Sequence, residues 1–252
     1  MEQRSSITSL MSSFGRAYHS ENAENPVFDD FKARELMTDD EYRSIAGYIL
    51  GGIDFFAPEM NGKFESNEKI LEYLVNTQIA PTTLGRAAFC EESLKTAVRT
   101  GTKQYVILGA GMDTFAFRNP GFAGRCEIFE VDHPLTQADK KSRIEHARWQ
   151  IPDGLHFVPV DFTKDDLRDS LLKNGFDPRK KTFFSWLGVS MYLCRDDIEK
   201  MLDCIASLSA EGSDLVFDYA DAGFFLSEVK RVRNMLAMAK AGGEEMKSGL
   251  IR

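Results

Sequence analysis

The chain has 252 residues, 43% of them apolar and 28% charged, with a formal net charge of −8 and a pI near 5.2. That length and apolar content support a sizeable core in an ordinary globular protein. The acidic balance excludes a general nucleic-acid binder, whose affinity comes from neutralising phosphates with a basic face. No apolar run approaches the ~20 residues of a membrane helix, and Met1 to Phe14 lacks the apolar core of a signal peptide.

Four cysteines, Cys90, Cys126, Cys194 and Cys204, are scattered without a CxxC pair. They read as reduced thiols, with no zinc site and no disulfide framework, and the expected location is the cytoplasm. Cys90 and Cys204 fall on helical stretches, where a small apolar residue suits a core.

The first hundred residues read as helices and loops. Asn67 to Gln78 puts Ile70, Leu71, Leu74 and Val75 on one helical face, and Pro81 is expected to close that helix. A second helix is predicted from about Thr83 to Thr100, with Leu84, Ala87, Ala88, Leu94 and Val98 facing inward and Gly101 as its stop. From Gln104 the rhythm changes. Tyr105 to Leu108 is a short apolar run ending in Gly109, the mark of a buried strand. Further strands are predicted over Glu127–Val131, His156–Val160, Thr182–Leu187 and Asp214–Tyr219. Between them lie helices from Leu135 to about Arg148, from Leu167 onward and from Arg195 to Leu208, and a last helix from Phe224 to Lys240 follows. Thr163-x-x-Asp166 resembles a capping box for the helix that carries Leu167, Leu171 and Leu172.

Strands alternating with helices at this spacing give an α/β fold, a Rossmann-like parallel sheet covered by helices on both faces. A helical cap over residues 1–100 and a sheet domain over 101–252 is the expected division. Ligands of such sheets bind beyond the carboxyl ends of the strands, where strand order reverses.

The first strand runs into Gly109-Ala110-Gly111-Met112-Asp113-Thr114. Glycines there let the backbone turn sharply and lie bare against a ligand. A dinucleotide fingerprint wants a third glycine where this chain has Thr114, which opposes a nicotinamide-dependent oxidoreductase and favours a nucleoside without a pyrophosphate. Asp132 ends the second strand ~23 residues after Gly109, near the spacing of a ribose-binding acid, and Glu130 is the reserve candidate. A carboxylate at Asp132 can accept from both ribose hydroxyls; the plainer alternative is a loop-capping aspartate. Asp161 ends the third strand and suits the exocyclic amine of adenine, with Phe162 beside the ring; alternatively it only starts the next turn.

Gln104-Tyr-Val-Ile-Leu-Gly-Ala-Gly-Met-Asp-Thr114, followed by Arg118, resembles the first motif of the leucine carboxyl methyltransferase family and its bacterial small-molecule O-methyltransferase relatives. Phe129-Glu-Val-Asp-His-Pro134 and Phe183-Phe-Ser-Trp-Leu-Gly-Val-Ser-Met-Tyr-Leu193 resemble the family's second- and fourth-strand signatures, and the likeness runs from about Phe14 to Tyr219. The resemblance implies S-adenosylmethionine (SAM) as cofactor. It puts Arg86, in Gly85-Arg86-Ala87, on the methionine carboxylate, which a forked guanidinium suits. Gly109, Ala110 and Gly111 would underlie the cofactor, Asp132 would hold the ribose, Asp161 with Phe162 the adenine, and His133 is a further cofactor-binding candidate. Asp113 and Arg118 are expected to brace the loop.

The protein-carboxyl branch of that family has a glutamate where this chain has Leu187, so a small-molecule acceptor is expected. The opening segment Phe14-x-Arg16-Ala17-Tyr18-His19 resembles the family's first helix. Tyr192, His133 and His19 are the candidates to touch the acceptor or take its proton, although His133 could simply shape the turn before Pro134 and a lone His19 could be structural. No metal cluster is evident. The family continues past the fifth strand into a lid and an antiparallel strand pair, whereas this sequence stops at Arg252. The strand pair is therefore expected to be missing. The acceptor site would then be more open, or covered by a neighbouring subunit of a homo-oligomer. A binding module that holds SAM without catalysis is the remaining alternative.

Overall fold

The computed structural model describes residues 7–247 apart from 163, 242 and 244. Five parallel strands form one sheet in the order β3-β2-β1-β4-β5, with β1 at Gln104–Leu108, β2 at Glu127–Asp132, β3 at Leu155–Pro159, β4 at Thr182–Trp186 and β5 at Asp214–Phe217. The central register sets Val106 between Phe129 and Phe184. Strand order reverses between β1 and β4, so the cleft opens beyond their carboxyl ends. Among the described residues no strand follows β5.

Alternation along the strands divides the core into two layers, because successive side chains point to opposite faces. Tyr105, Ile107, Ile128 and Phe183 face α5 (Ala80–Arg99), α6 (Phe115–Arg118) and α8 (Pro134–His146). Val106, Leu108, Phe129, Val131, Phe184 and Trp186 face α9 (Leu167–Lys173) and α10 (Arg195–Leu208). A third core joins α1 (Ile7–Asn22), α2 (Asp39–Gly51), α3 (Ile53–Phe56) and α4 (Asn67–Leu74) around Phe14, Ile49, Phe56 and Leu74. Met238 of the last helix, α11 (Lys230–Ala241), packs against that core, and Asn234 donates to the Phe55 carbonyl at 2.9 Å. The short α7 (Pro120–Ala123) completes the β1–β2 crossover. No helix among the described residues is long and apolar enough to cross a membrane.

Three expectations need correction. Pro81 does not end a helix: α4 continues through a π-helical turn, Val75–Ile79, into α5. A proline ring clashes with the carbonyl four residues back and offers no N–H, and the wider turn accommodates both defects at Thr77. The helix after β3 begins at Leu167, with the Asp166 carboxylate accepting from Asp169 N at 2.8 Å; Thr163, expected to cap it, lies outside the described residues. The predicted Phe224–Lys240 helix is split into a 3-10 turn, Ala222–Leu226, and α11. Between them Ser227 is extended and its hydroxyl accepts from Val229 N at 3.2 Å, a local bond that competes with helix.

Candidate active site

After Leu108 the backbone turns through Gly109 and Gly111, with φ of +72° and +49°. Gly109 and Ala110 donate to the Val131 carbonyl at 2.9 and 3.1 Å, which ties the turn to the end of β2. A Cβ on Gly109 would lie 2.5 Å from Val189 Cγ2, and one on Gly111 2.9 Å from Ser9 Oγ. The turn is thus held between the β4 exit and the first helix. Gly109→Ala is expected to destabilise the fold by about 1–3 kcal/mol, since it adds left-handed strain and overlap with a stiff valine. Urea unfolding checks this, and an unchanged midpoint would mean that Val189 moves aside freely.

Asp132 reaches across to the turn. Its Oδ2 accepts from Gly111 N at 2.5 Å and its Oδ1 from His133 N at 2.6 Å. Burial pushes its carboxyl up, while those two N–H groups and the Lys140 charge pull it down. Each oxygen keeps lone-pair capacity beyond its backbone bond, as a vicinal diol requires. Glu130, the reserve candidate, is not at the cleft. It is 1% exposed and ion-paired with Lys140 of α8, and Gln137 Nε2 donates to its carbonyl at 3.2 Å.

The ends of β2 and β3 meet through His133 and Asp161. His133 Nε2 lies 3.8 Å from Asp161 Oδ2, and Lys164 Nζ lies 2.6 Å from the same oxygen. Phe162 is half-buried against the core beneath. His133 is also the N-cap of α8, its Nδ1 accepting from Leu135 N at 3.3 Å. The structure therefore brings Gly109, Ala110, Gly111, Asp132, His133, Asp161 and Phe162 to adjoining loop tips.

Arg86 comes from α5 to the carboxyl ends of β4 and β5. Its Nη1 donates to Asp218 Oδ2 at 2.9 Å, and its guanidinium lies against Gly188 so closely that a Cβ there would be 2.5 Å from Nη2. Tyr192 closes the 3-10 turn Ser190–Tyr192 at the β4 exit, the same exit that sets Val189 over Gly109. Lys247 N donates to the Met191 carbonyl at 2.8 Å, so the tail runs back beside this turn.

His19 is not brought to the strand ends. It follows Ser9, the α1 residue against Gly111, by ten positions, roughly 15 Å along the helix. Its Nε2 accepts from Val27 N at 3.0 Å, which fastens the loop after α1.

Two residues absent from the sequence-based expectations organise the site. Asp218 is one. Asp30, fully buried, is the other: its carboxylate lies 3.2 Å from both Arg16 Nη1 and Arg118 Nε. Thr114 Oγ1 donates to Asp30 Oδ1 at 2.5 Å, and Arg16 Nη2 donates to the Met112 carbonyl at 2.8 Å. At Thr114, where a dinucleotide site would have its third glycine, the hydroxyl ties the turn to Asp30 in the loop after α1. Asp113 caps the turn internally, Oδ1 accepting from Phe115 N at 2.8 Å. Among the described residues no group of three or more His, Cys, Asp or Glu could hold a metal ion.

Comparison with known proteins agrees with this architecture. The leucine carboxyl methyltransferase family profile matches residues 9–206. A Bacillus subtilis protein, YktD, named for S-adenosyl-L-methionine-dependent methyl transfer, is 45% identical over 250 residues, covering 98% of this chain and 82% of its own. A similarly named protein of Mycobacterium marinum is 34% identical over 225 residues, covering 88% and 68%. A crystal structure of a DUF574 family protein from Streptomyces avermitilis superposes with a TM-score of 0.55 at 13% identity, covering 81% of this chain and 77% of that one, a likeness of fold. The oxidoreductase alternative is left without support. Matched by the family profile over residues 9–206 and 45% identical to a relative along almost its whole length, the chain belongs to the leucine carboxyl methyltransferase family.

Proposed function

We propose that the protein is a SAM-dependent methyltransferase that transfers the methyl group to an oxygen of a small molecule, a carboxylate in preference to a hydroxyl. The observation that carries this reading is the meeting of three loop tips at one place, through the Gly111–Asp132 bond and the His133–Asp161 contact. The residues present fit the cofactor: a turn too tight for a side chain at Gly109, a carboxylate with spare acceptor positions at Asp132, and a cation at Arg86.

In this reading Gly109, Ala110 and Gly111 form the floor, Asp132 holds the ribose, Asp161 and Phe162 border the adenine, and Arg86 holds the methionine carboxylate. Tyr192 stands on the acceptor side. SAM supplies a methyl group already activated by its sulfonium, and the chain contributes position and alignment.

The histidines favour the carboxylate. A neutral imidazole has one lone-pair nitrogen. In His133 that nitrogen is Nδ1, engaged by Leu135 N; in His19 it is Nε2, engaged by Val27 N. Neither ring offers a base to a hydroxyl, whereas a carboxylate arrives without a proton to lose. The side chain at Leu187 is uncharged where the protein-carboxyl branch has a glutamate, which supports a small acceptor.

Calorimetric titration with SAM tests the site. Asp132→Asn is expected to weaken binding about tenfold or more, as for loss of one or two charge-assisted hydrogen bonds. Unchanged affinity would remove Asp132 from the site.

A further inference from the structure

Asp218 is the last residue of a hub that joins three elements at the carboxyl edge of the sheet. Its Oδ2 accepts from Arg86 Nη1 at 2.9 Å, and its Oδ1 accepts from Gly188 N at 2.6 Å. Its backbone carbonyl accepts from Ser190 Oγ, and its own N–H points to the Trp186 carbonyl at 3.4 Å. One residue thus fixes α5, the β4 exit and the β5 exit relative to one another.

The geometry at Arg86 is specific. Gly188 has φ of +73°, and the place of its missing Cβ is filled by the guanidinium, with Nη2, Cζ and Nη1 all within 3.0 Å of it. The plane of the arginine therefore lies on bare backbone while Asp218 grips one corner. A guanidinium has five N–H donors in a rigid fork. Holding Nη1 by a fixed carboxylate leaves other donors of that fork for a second carboxylate. Both side chains are just over a fifth exposed, so the pair is open to a ligand from one side.

We infer that Asp218 is a positioning residue: it orients Arg86 on Gly188 so that the remaining edge of the guanidinium receives the carboxylate of the amino-acid end of SAM. This rests on the proposed cofactor site and deepens it. A free arginine side chain loses rotamer entropy when it is fixed. Prior fixation by Asp218 removes part of that loss from the binding step. The competing role is a purely structural tie between β5 and the β4 exit.

Two ligands separate these roles. S-adenosylhomocysteine carries the carboxylate, and 5′-methylthioadenosine has the same nucleoside and sulfur without it. In calorimetric titrations of the full chain, Asp218→Asn is expected to weaken S-adenosylhomocysteine about tenfold and 5′-methylthioadenosine less than about twofold, the loss of one charge-assisted contact. Arg86→Met should show the same selectivity. Adding Asp218→Asn to Arg86→Met should then change S-adenosylhomocysteine binding no further, since a positioning residue acts only through its partner. Equal weakening of both ligands by Asp218→Asn would overturn the proposal in favour of the structural tie. Unchanged or tighter S-adenosylhomocysteine binding would overturn it by showing Asp218 to be neutral or a competitor. If Arg86→Met itself left S-adenosylhomocysteine unaffected, the carboxylate clamp would fail first, and with it the reading on which Asp218 depends.

Discussion

Asp30→Ala is expected to destabilise the protein by about 3–5 kcal/mol, because it leaves two buried cations without their shared carboxylate. Arg16 and Arg118 are 8% and 7% exposed by residue and side chain respectively, and both face the fully buried Asp30. Arg118 keeps Glu91 as a second partner; Arg16 keeps only the Met112 carbonyl among its described hydrogen bonds. The substitution also strips the acceptor from Thr114 Oγ1 and the side-chain acceptor from Ala33 N, which keeps the Asp30 carbonyl at 3.0 Å. For a chain of this size the melting temperature should fall by roughly 6–20 °C. Asp30→Asn, which keeps an oxygen for the neutral donors, should fall between wild type and alanine. Urea unfolding followed by fluorescence checks both. A loss below about 1 kcal/mol would mean that water replaces the carboxylate and that the network is not closed.

The consequence extends beyond stability. Asp30 is where the cap meets the turn after β1: α1 supplies Arg16, the loop supplies Asp30, and Thr114 and Arg118 belong to the turn and α6. Ser9, on the same helix as Arg16, covers Gly111. Loosening the cap should therefore also weaken SAM binding, by exposing the glycine turn rather than by removing a ligand contact.

What the sequence makes legible follows from how locally each feature is encoded. The inner strands β1 and β4 are buried along their whole length, so each reads as a largely apolar run, and the α10 bounds follow from Ile198 and Ile205 in helical phase. Gly109 and Asp132 are visible because a strand end and its turn are neighbours in the chain. Arg86 and Asp218 are 132 positions apart, and no spacing rule connects them. The same holds for Asp30 and Thr114, 84 positions apart. The role of Glu130 is hidden for a related reason: alternation gives its face of the strand, but not that Lys140 of α8 takes it. Thr38-x-x-Glu41 is a capping box, with Thr38 N donating to Glu41 Oε2 at 2.9 Å and Glu41 N to Thr38 Oγ1 at 3.1 Å. Arg143 of α8 also pairs with Glu41 at 2.7 Å and holds its carboxyl at about 2, so this cap fastens α2 to the sheet domain.

The second large effect lies beneath Asp132. Burial pushes the Glu130 carboxyl up to about 7 despite the Lys140 ammonium beside it, which pulls it down. Lys140→Met removes that pull and leaves a buried acid with its Oε1 already unpartnered. The folded variant will hold the Glu130 proton to higher pH than wild type, whereas the unfolded chain sheds it near its ordinary value of about 4.3. Between those two values the folded state carries the extra proton, so stability falls as pH rises, by up to about 1.4 kcal/mol per pH unit. In wild type this fall ends near pH 7; in the variant it continues above. The variant should lie within about 1–2 kcal/mol of wild type at pH 5 and about 3–5 kcal/mol below it at pH 9, where the charge is buried alone. Urea titrations across that range check the widening gap. A gap independent of pH would assign the loss to packing alone. Lys140→Met combined with Glu130→Leu should flatten the dependence and recover most of the stability, since an apolar pair of similar volume needs no compensation. The Lys140 charge also lowers the Asp132 carboxyl, so with Asp132 in the proposed ribose role Lys140→Met should begin to lose SAM affinity at a higher pH than wild type as the pH is lowered.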